Sequence, residues 1–98
     1  IRVVEDKRSV AHEALAMINE QLWLGHFELW SNSGTVLYRH AMLIGSDAAM
    51  PLDITETLVE SAIDECERFY PVFQFVLWGG KTPAEALAAS LIETRGEA

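Results

Sequence analysis

Leu58, Ala62, Cys66, Phe69, Phe73 and Val76 recur at steps of four, four, three, four and three residues. That spacing is one apolar stripe of an α-helix. It stays in phase across Pro71. An interior proline removes a backbone hydrogen bond and usually kinks or ends a helix. The unbroken phase predicts a kinked helix, with two separate segments as the alternative. Asp53 with Glu56 three residues on resembles a capping box, Thr55 is a rival N-cap, and Gly79-Gly80 ends the run. In a chain of 98 residues, every other element must pack against this helix.

The remaining elements are shorter. Ile1–Val4 reads as the tail of a strand, and Glu5–Ser9 as a polar connector or first helical turn. Ala11, Ala14, Leu15, Ile18 and Leu22 predict a helix over about residues 7–23, with Gly25 as its stop. His26–Trp30 alternates and is aromatic, Ser31-Asn32-Ser33-Gly34 is turn chemistry, and Thr35–Ile44 reads as the longest strand. Val36, Tyr38 and His40 fall on one face of it, Leu37 and Arg39 on the other, and Gly45-Ser46-Asp47 ends it. Thr82-Pro83-Ala84-Glu85 supplies an N-cap threonine, proline at the first helical position and glutamate at the third. The short helix that follows turns Leu87, Leu91 and Ile92 inward with Ala88 beside them, and Gly96 caps its end. The expected order is (β)-α-β-β-α-α, an α+β domain with an antiparallel sheet packed against helices. Two strands alone rarely hold a fold. Further strands upstream or a second subunit would complete the sheet.

Composition narrows the function classes. Fifteen acids against seven bases give a net charge of -8. A field of that sign repels phosphate backbones and anionic membrane surfaces, so neither nucleic acid nor membrane is an expected partner. No apolar run approaches the ~20 residues of a membrane span. A single cysteine forms no intrachain disulfide, which suits a reducing compartment.

Candidate chemistry is sparse. His12, His26 and His40 lie on three different elements without metal-ligand spacing, so no metal and no cofactor is expected. Cys66 sits on the helical stripe among Asp64, Glu65 and Glu67, which raise a thiol pKa; it reads as a packed core thiol. Glu60 and Asp64, one turn apart, read as a solvated face, and Glu65 can pair with Arg68. Gly79-Gly80-Lys81-Thr82 lacks the spacing of a phosphate loop. No catalytic constellation emerges, and the chain is expected not to be an enzyme. Three Trp, two Tyr and four Phe are many for one small core. Phe75 falls off the helical stripe. Either an exposed aromatic patch marks a protein contact, or an upstream sheet covers it.

Two longer runs are more specific: Trp23-Leu24-Gly25-His26-Phe27-Glu28-Leu29-Trp30, and Glu65-Cys66-Glu67-Arg68-Phe69-Tyr70-Pro71 followed by Phe73 through Ala86. These resemble the YbjN-like family of "putative bacterial sensory transduction regulators", in particular its alphaproteobacterial branch, over nearly the whole chain. The resemblance implies a fold like that of type III secretion chaperones, often dimeric. It also implies that residues 1–98 form one domain, the C-terminal two-thirds of a longer protein. It transfers no catalytic residues.

Together these readings predict a non-enzymatic, cytoplasmic protein-interaction module, a sensory-transduction regulator or chaperone-like adaptor, with a protein partner and a homodimeric state. The contact residues expected are Trp23, Trp30, Tyr70, Phe75 and Trp78. The alternative is a small-ligand-sensing domain with a pocket near Pro71 and the Gly79-Gly80 corner.

Overall fold

The computed structural model of the chain describes residues 1–45 and 49–97, with side chains described as far as Leu91. Its class is α+β. A 3₁₀ turn at Glu5–Lys7 leads into α1 (Arg8–Asn19), then β1 (His26–Leu29), β2 (Val36–Arg39), α2 (Leu52–Leu77) and α3 (Pro83–Glu97). The expected end of the second strand at Ser46-Asp47 and the inward side chain of Ile92 lie outside the described residues.

β1 and β2 form an antiparallel hairpin in the register His26–Arg39, Phe27–Tyr38, Glu28–Leu37 and Leu29–Val36. Trp30 N–H donates to Thr35 O, and Gly34 N–H to Trp30 O, closing a four-residue loop. Gly34 takes φ +71, and a β-carbon there would press on Val3 O at 2.7 Å, so only glycine fits. Asn32 does not share that conformation, since among the described residues only glycines have positive φ. The N-terminal residues join the other edge of β2. Arg2 bridges Thr35 in antiparallel sense, Val36 N–H donates to Ile1 O, and Val3 N–H to Gly34 O. The strand tail expected at Ile1–Val4 is therefore present as an incipient third strand.

Alternation along β1 turns the backbone N–H and C=O of Phe27 away from β2. Both are closed by one side chain of α1. Phe27 N–H donates to Asn19 Oδ1 at 2.9 Å, and Asn19 Nδ2 donates to Phe27 O at 3.1 Å. Asn19 thus ties α1 to the outer edge of β1 and blocks that edge at its centre.

The core sits where both termini of the fold meet the middle of the chain. Val3, Ala11, Ala14, Leu15, Ile18, Phe27, Phe69, Val72, Phe73, Val76, Leu77, Ala86 and Leu87 are buried together. Phe27 is its hub, meeting Tyr38, Phe69 and Phe73 edge-to-face at centroid separations of 5.2, 5.9 and 6.0 Å. The alanines of α1 and Ala86 of α3 let the helices approach closely. Ser90 of α3 donates its hydroxyl to Arg68 O of α2 at 3.4 Å.

Several expectations need correction. α1 ends at Asn19 and tightens into i→i+3 bonds, Gln21 to Ile18 and Leu22 to Asn19. Gly25 is therefore not its stop. Gly25 has φ +68 and lies under Tyr38, where a β-carbon would collide with the phenol oxygen. The second strand is four residues long, because beyond Arg39 no described residue offers a ladder partner. α2 is one continuous helix through Pro71, so the two-segment alternative falls. It starts behind Pro51 without a side-chain cap. Asp53 Oδ1 accepts only from the adjacent Ile54 N–H, and Thr55 donates its hydroxyl to Pro51 O. Ala88, expected beside the inward residues of α3, is exposed.

The capping box of α3 forms as its sequence predicts. Glu85 N–H donates to Thr82 Oγ1 at 3.2 Å, and Thr82 N–H donates to the Glu85 carboxylate at 3.0 Å. The same contact, reinforced by the Thr82 side chain and Lys81, holds the Glu85 carboxyl below the usual carboxylate range.

Candidate functional site

The buried residues of α2 are Phe69, Val72, Phe73, Val76 and Leu77, all in its C-terminal part. From Leu52 to Arg68 no residue is buried. Leu58 and Ala62 of the expected core stripe are only half-buried, and Cys66 is exposed. Cys66 is therefore not a packed core thiol. The core ends one turn below it, and at its level α2 passes the rim of the sheet. Partial burial, then the charge of Glu65, still pushes its thiol pKa up.

This open half carries a second apolar line. Leu52, Val59, Ile63, Cys66 and Tyr70 are spaced by seven, four, three and four residues. At 3.6 residues per turn they align about a quarter-turn from the Phe69–Phe73–Val76 line. Val59 is 54% exposed and Ile63 51%, against 2% for Phe73. The sequence reading missed this line because it followed one stripe only. The seven-residue step from Leu52 to Val59 was the available signal.

At Tyr70 the line runs into an apolar groove between α2 and the sheet. Ile1, Val36, Leu37, Tyr38 and Phe73 line it together with Cys66 and Tyr70, around a cavity of about 160 Å³. Val36 and Tyr38 pack against the core while Arg39 meets Glu28 on the outer face; Leu37, expected on that outer face, also lines the groove. On that outer face Glu28 binds His26 at 2.7 Å and Arg39 at 3.5 Å, and accepts from Trp30 Nε1 at 3.3 Å. His26 above all holds the Glu28 carboxyl below its ordinary range.

Beside the apolar line stand Asp53, Glu56, Glu60, Asp64 and Glu67, all exposed. None makes an ion pair among the described residues. The expected Glu65–Arg68 pair does not form either. The Arg68 guanidinium lies over the Phe69 ring at 4.8 Å instead. Glu65 turns toward a separate cleft of about 260 Å³ with Trp23, Leu24, Tyr38, His40, Ser61 and Arg68. There Glu65 Oε2 and His40 Nδ1 are buried without a hydrogen-bond partner.

The five aromatics expected to make contacts do not converge. Tyr70 alone lines the apolar groove. Trp23, 98% exposed, stands on the loop before β1. Trp30 follows β1 directly, and Trp78 caps α2 beside Val3 and Val4. Phe75 is partly buried against the core, with Lys81 Nζ 5.8 Å from its ring centre. The pocket expected near Pro71 is displaced. A cleft at the Gly80 corner is lined by Val76, Lys81, Thr82 and Pro83 with residues of α1, and Pro71 does not reach it. Among the described residues no helix is long and apolar enough to cross a membrane.

Three helices and a two-stranded antiparallel hairpin, with α2 half packed into the core and half laid open, define an α+β domain. The particular family follows from comparison: the chain belongs to the YbjN family, described as "putative bacterial sensory transduction regulator", whose model matches residues 1–75. The matched part ends within α2, so the capping box and α3 lie beyond it. No curated protein and no solved structure matches the chain.

Proposed function

We propose that this domain is a non-enzymatic protein-interaction module of the bacterial cytoplasm, a sensory-transduction regulator or chaperone-like adaptor. The observation that carries the reading is the open apolar line of α2, Leu52–Val59–Ile63–Tyr70, running into the groove beside β2. Exposed apolar surface of this continuity marks interaction sites. The family description supports the regulator reading; a type III secretion chaperone-like fold and the alphaproteobacterial branch are part of the same proposal. Of the aromatic candidates, Tyr70 belongs to this surface. Trp23, Trp30 and Trp78 would act as separate anchors, and Phe75 as a support for the α2–α3 corner. Homodimerisation fits the outer edge of β2, where the backbone of Tyr38 has no ladder partner among the described residues. Capture of partners from native bacterial cytosol tests the reading. The full-length protein should retain a partner that the folded Val59→Ser/Ile63→Ser variant loses. An unchanged partner set would overturn it.

A second reading, small-ligand sensing, is favoured by the cleft at Glu65 and His40, whose buried unpartnered atoms suit a hydrogen-bonding ligand. A metabolite that raises Tm in the native protein but not in Glu65→Ala would support it. No stabilising metabolite would remove it.

A further inference from the structure

We infer that the open line of α2 docks a cationic amphipathic helix of another protein; this rests on the interaction-module reading and names the partner class. Three features carry it. First, an α-helix offers a docked segment no free backbone groups along its side. A partner must therefore bring its own backbone bonds already made, which a helix does and an extended strand does not. The seven-four-three-four spacing of Leu52, Val59, Ile63, Cys66 and Tyr70 is the spacing of a helix–helix seam. It runs about 27 Å, and the groove beyond Tyr70 leaves room for one bulky side chain.

Second, the charge beside the seam has one sign. Asp53, Glu56, Glu60, Asp64 and Glu67 are exposed and unpaired among the described residues. Arg68, the sole base of α2, is spent on the Phe69 ring. Third, Glu56 stands where the seam's next apolar residue would fall, four after Leu52. A second copy of α2 would bring the same acids to this seam, and like charges in close contact are unfavourable. Lysine or arginine flanking an apolar face complements all of them.

The test uses two fluorescein-labelled helical peptides of about 18 residues. They share a leucine face and differ only in carrying lysine or glutamate beside it. Anisotropy with the full chain should show the lysine peptide binding roughly tenfold or more tighter than the glutamate peptide. Val59→Ser/Ile63→Ser and Glu56→Lys/Glu60→Lys should each weaken it about tenfold or more. Glu13→Lys/Glu20→Lys, which changes net charge equally on α1 and at its C-cap, should not. Far-ultraviolet circular dichroism confirms folding of each variant. Equal loss in the α1 variant would show unspecific charge attraction and overturn the inference. So would a self-associated state, by sedimentation equilibrium, that Val59→Ser/Ile63→Ser dissolves. Binding that needs the seam but ignores peptide charge would overturn the cationic partner and leave the interaction reading standing. Binding indifferent to the seam variant would overturn both, and no binding by either peptide would overturn the inference.

Discussion

The two halves of α2 obey one sequence rule and meet different fates. Both carry apolar residues at helical spacing. In the C-terminal half these residues are buried by α1, α3 and the sheet; in the N-terminal half they face solvent. Propensity does not explain the burial, since the half with the weaker helix formers Phe, Val and Pro is the packed one. Neighbours separate them. α3 begins at Pro83 and returns along the C-terminal half. The sheet, two full strands wide among the described residues, meets α2 mainly around Cys66, Tyr70 and Phe73 and leaves residues 52–60 uncovered. Amphipathicity therefore marks a helix that wants a partner, and the fold decides whether the partner lies inside the chain.

The largest test of this contrast is a truncation in the packed half. Phe73 is fully enclosed and touches the Phe27 ring. Phe73→Ala should cost about 3–5 kcal/mol, read as a fall in urea midpoint with unchanged slope. A cost below about 1 kcal/mol would mean that the two halves are less different than their burial suggests.

Asn19 sharpens the comparison from another direction. The β1 edge shows how this molecule closes a surface it does not use, with one amide answering both backbone groups of Phe27. Asn19→Ala would leave that donor and acceptor without their partner, at roughly 1–3 kcal/mol. Asn19→Asp keeps the acceptor and loses the donor, so it should fall between. Equilibrium unfolding ranks the three proteins. A neutral Asn19→Ala would show that solvent can replace the plug.

How far the sequence foretold this structure follows the same boundary. The capping box at Thr82, the hairpin turn at Gly34, the strand faces at Val36 and Tyr38 and the continuous phase across Pro71 are local. Each is set by residues within one or two turns of each other, and each appears as read. Cys66, Gly25 and the far end of β2 depart from the local pattern because each depends on what lies across from it. A stripe shows that Cys66 is aligned with Phe69, not that the core stops between them. Asn19 carried no readable signal, since its role exists only once β1 lies beside α1. The candidate site was half legible. Tyr70 was singled out as an aromatic, while Val59 and Ile63 went unread because aliphatic residues on a helix suggest core.

The helix starts give the next effect. α3, which covers the packed half of α2, begins with reciprocal side-chain bonds, whereas α2 begins with none. Thr82→Ala should cost about 0.5–2 kcal/mol. Its acid dependence has a definite sign. The Glu85 carboxyl titrates below its ordinary value because Thr82 N–H binds the charged form. Its contribution is complete above the unfolded value near 4.3 and is lost as pH falls through that value to the lower folded one. Glu85→Gln should remove this part of the acid destabilisation. Urea midpoints at about pH 6 and pH 3 check it. An unchanged acid response would place the proton uptake elsewhere, the depressed Glu28 being the next candidate.

The smallest expected effect is the most telling. Ile63 is half exposed on a segment without one buried side chain. Ile63→Ser removes an apolar group that folding scarcely shelters, so stability should change within about 0.5 kcal/mol. Serine's lower helix propensity sets the direction, slightly downward. The same residue inside the packed half would cost several times more. A large loss at Ile63 would require a shelter that the isolated chain lacks, such as a second subunit over the seam, and would then depend on protein concentration. A small loss, independent of concentration, leaves the first seventeen residues of α2 as a face maintained in water. That outcome is the one the proposed interaction surface requires, because a face kept for binding must cost the fold little when it is changed.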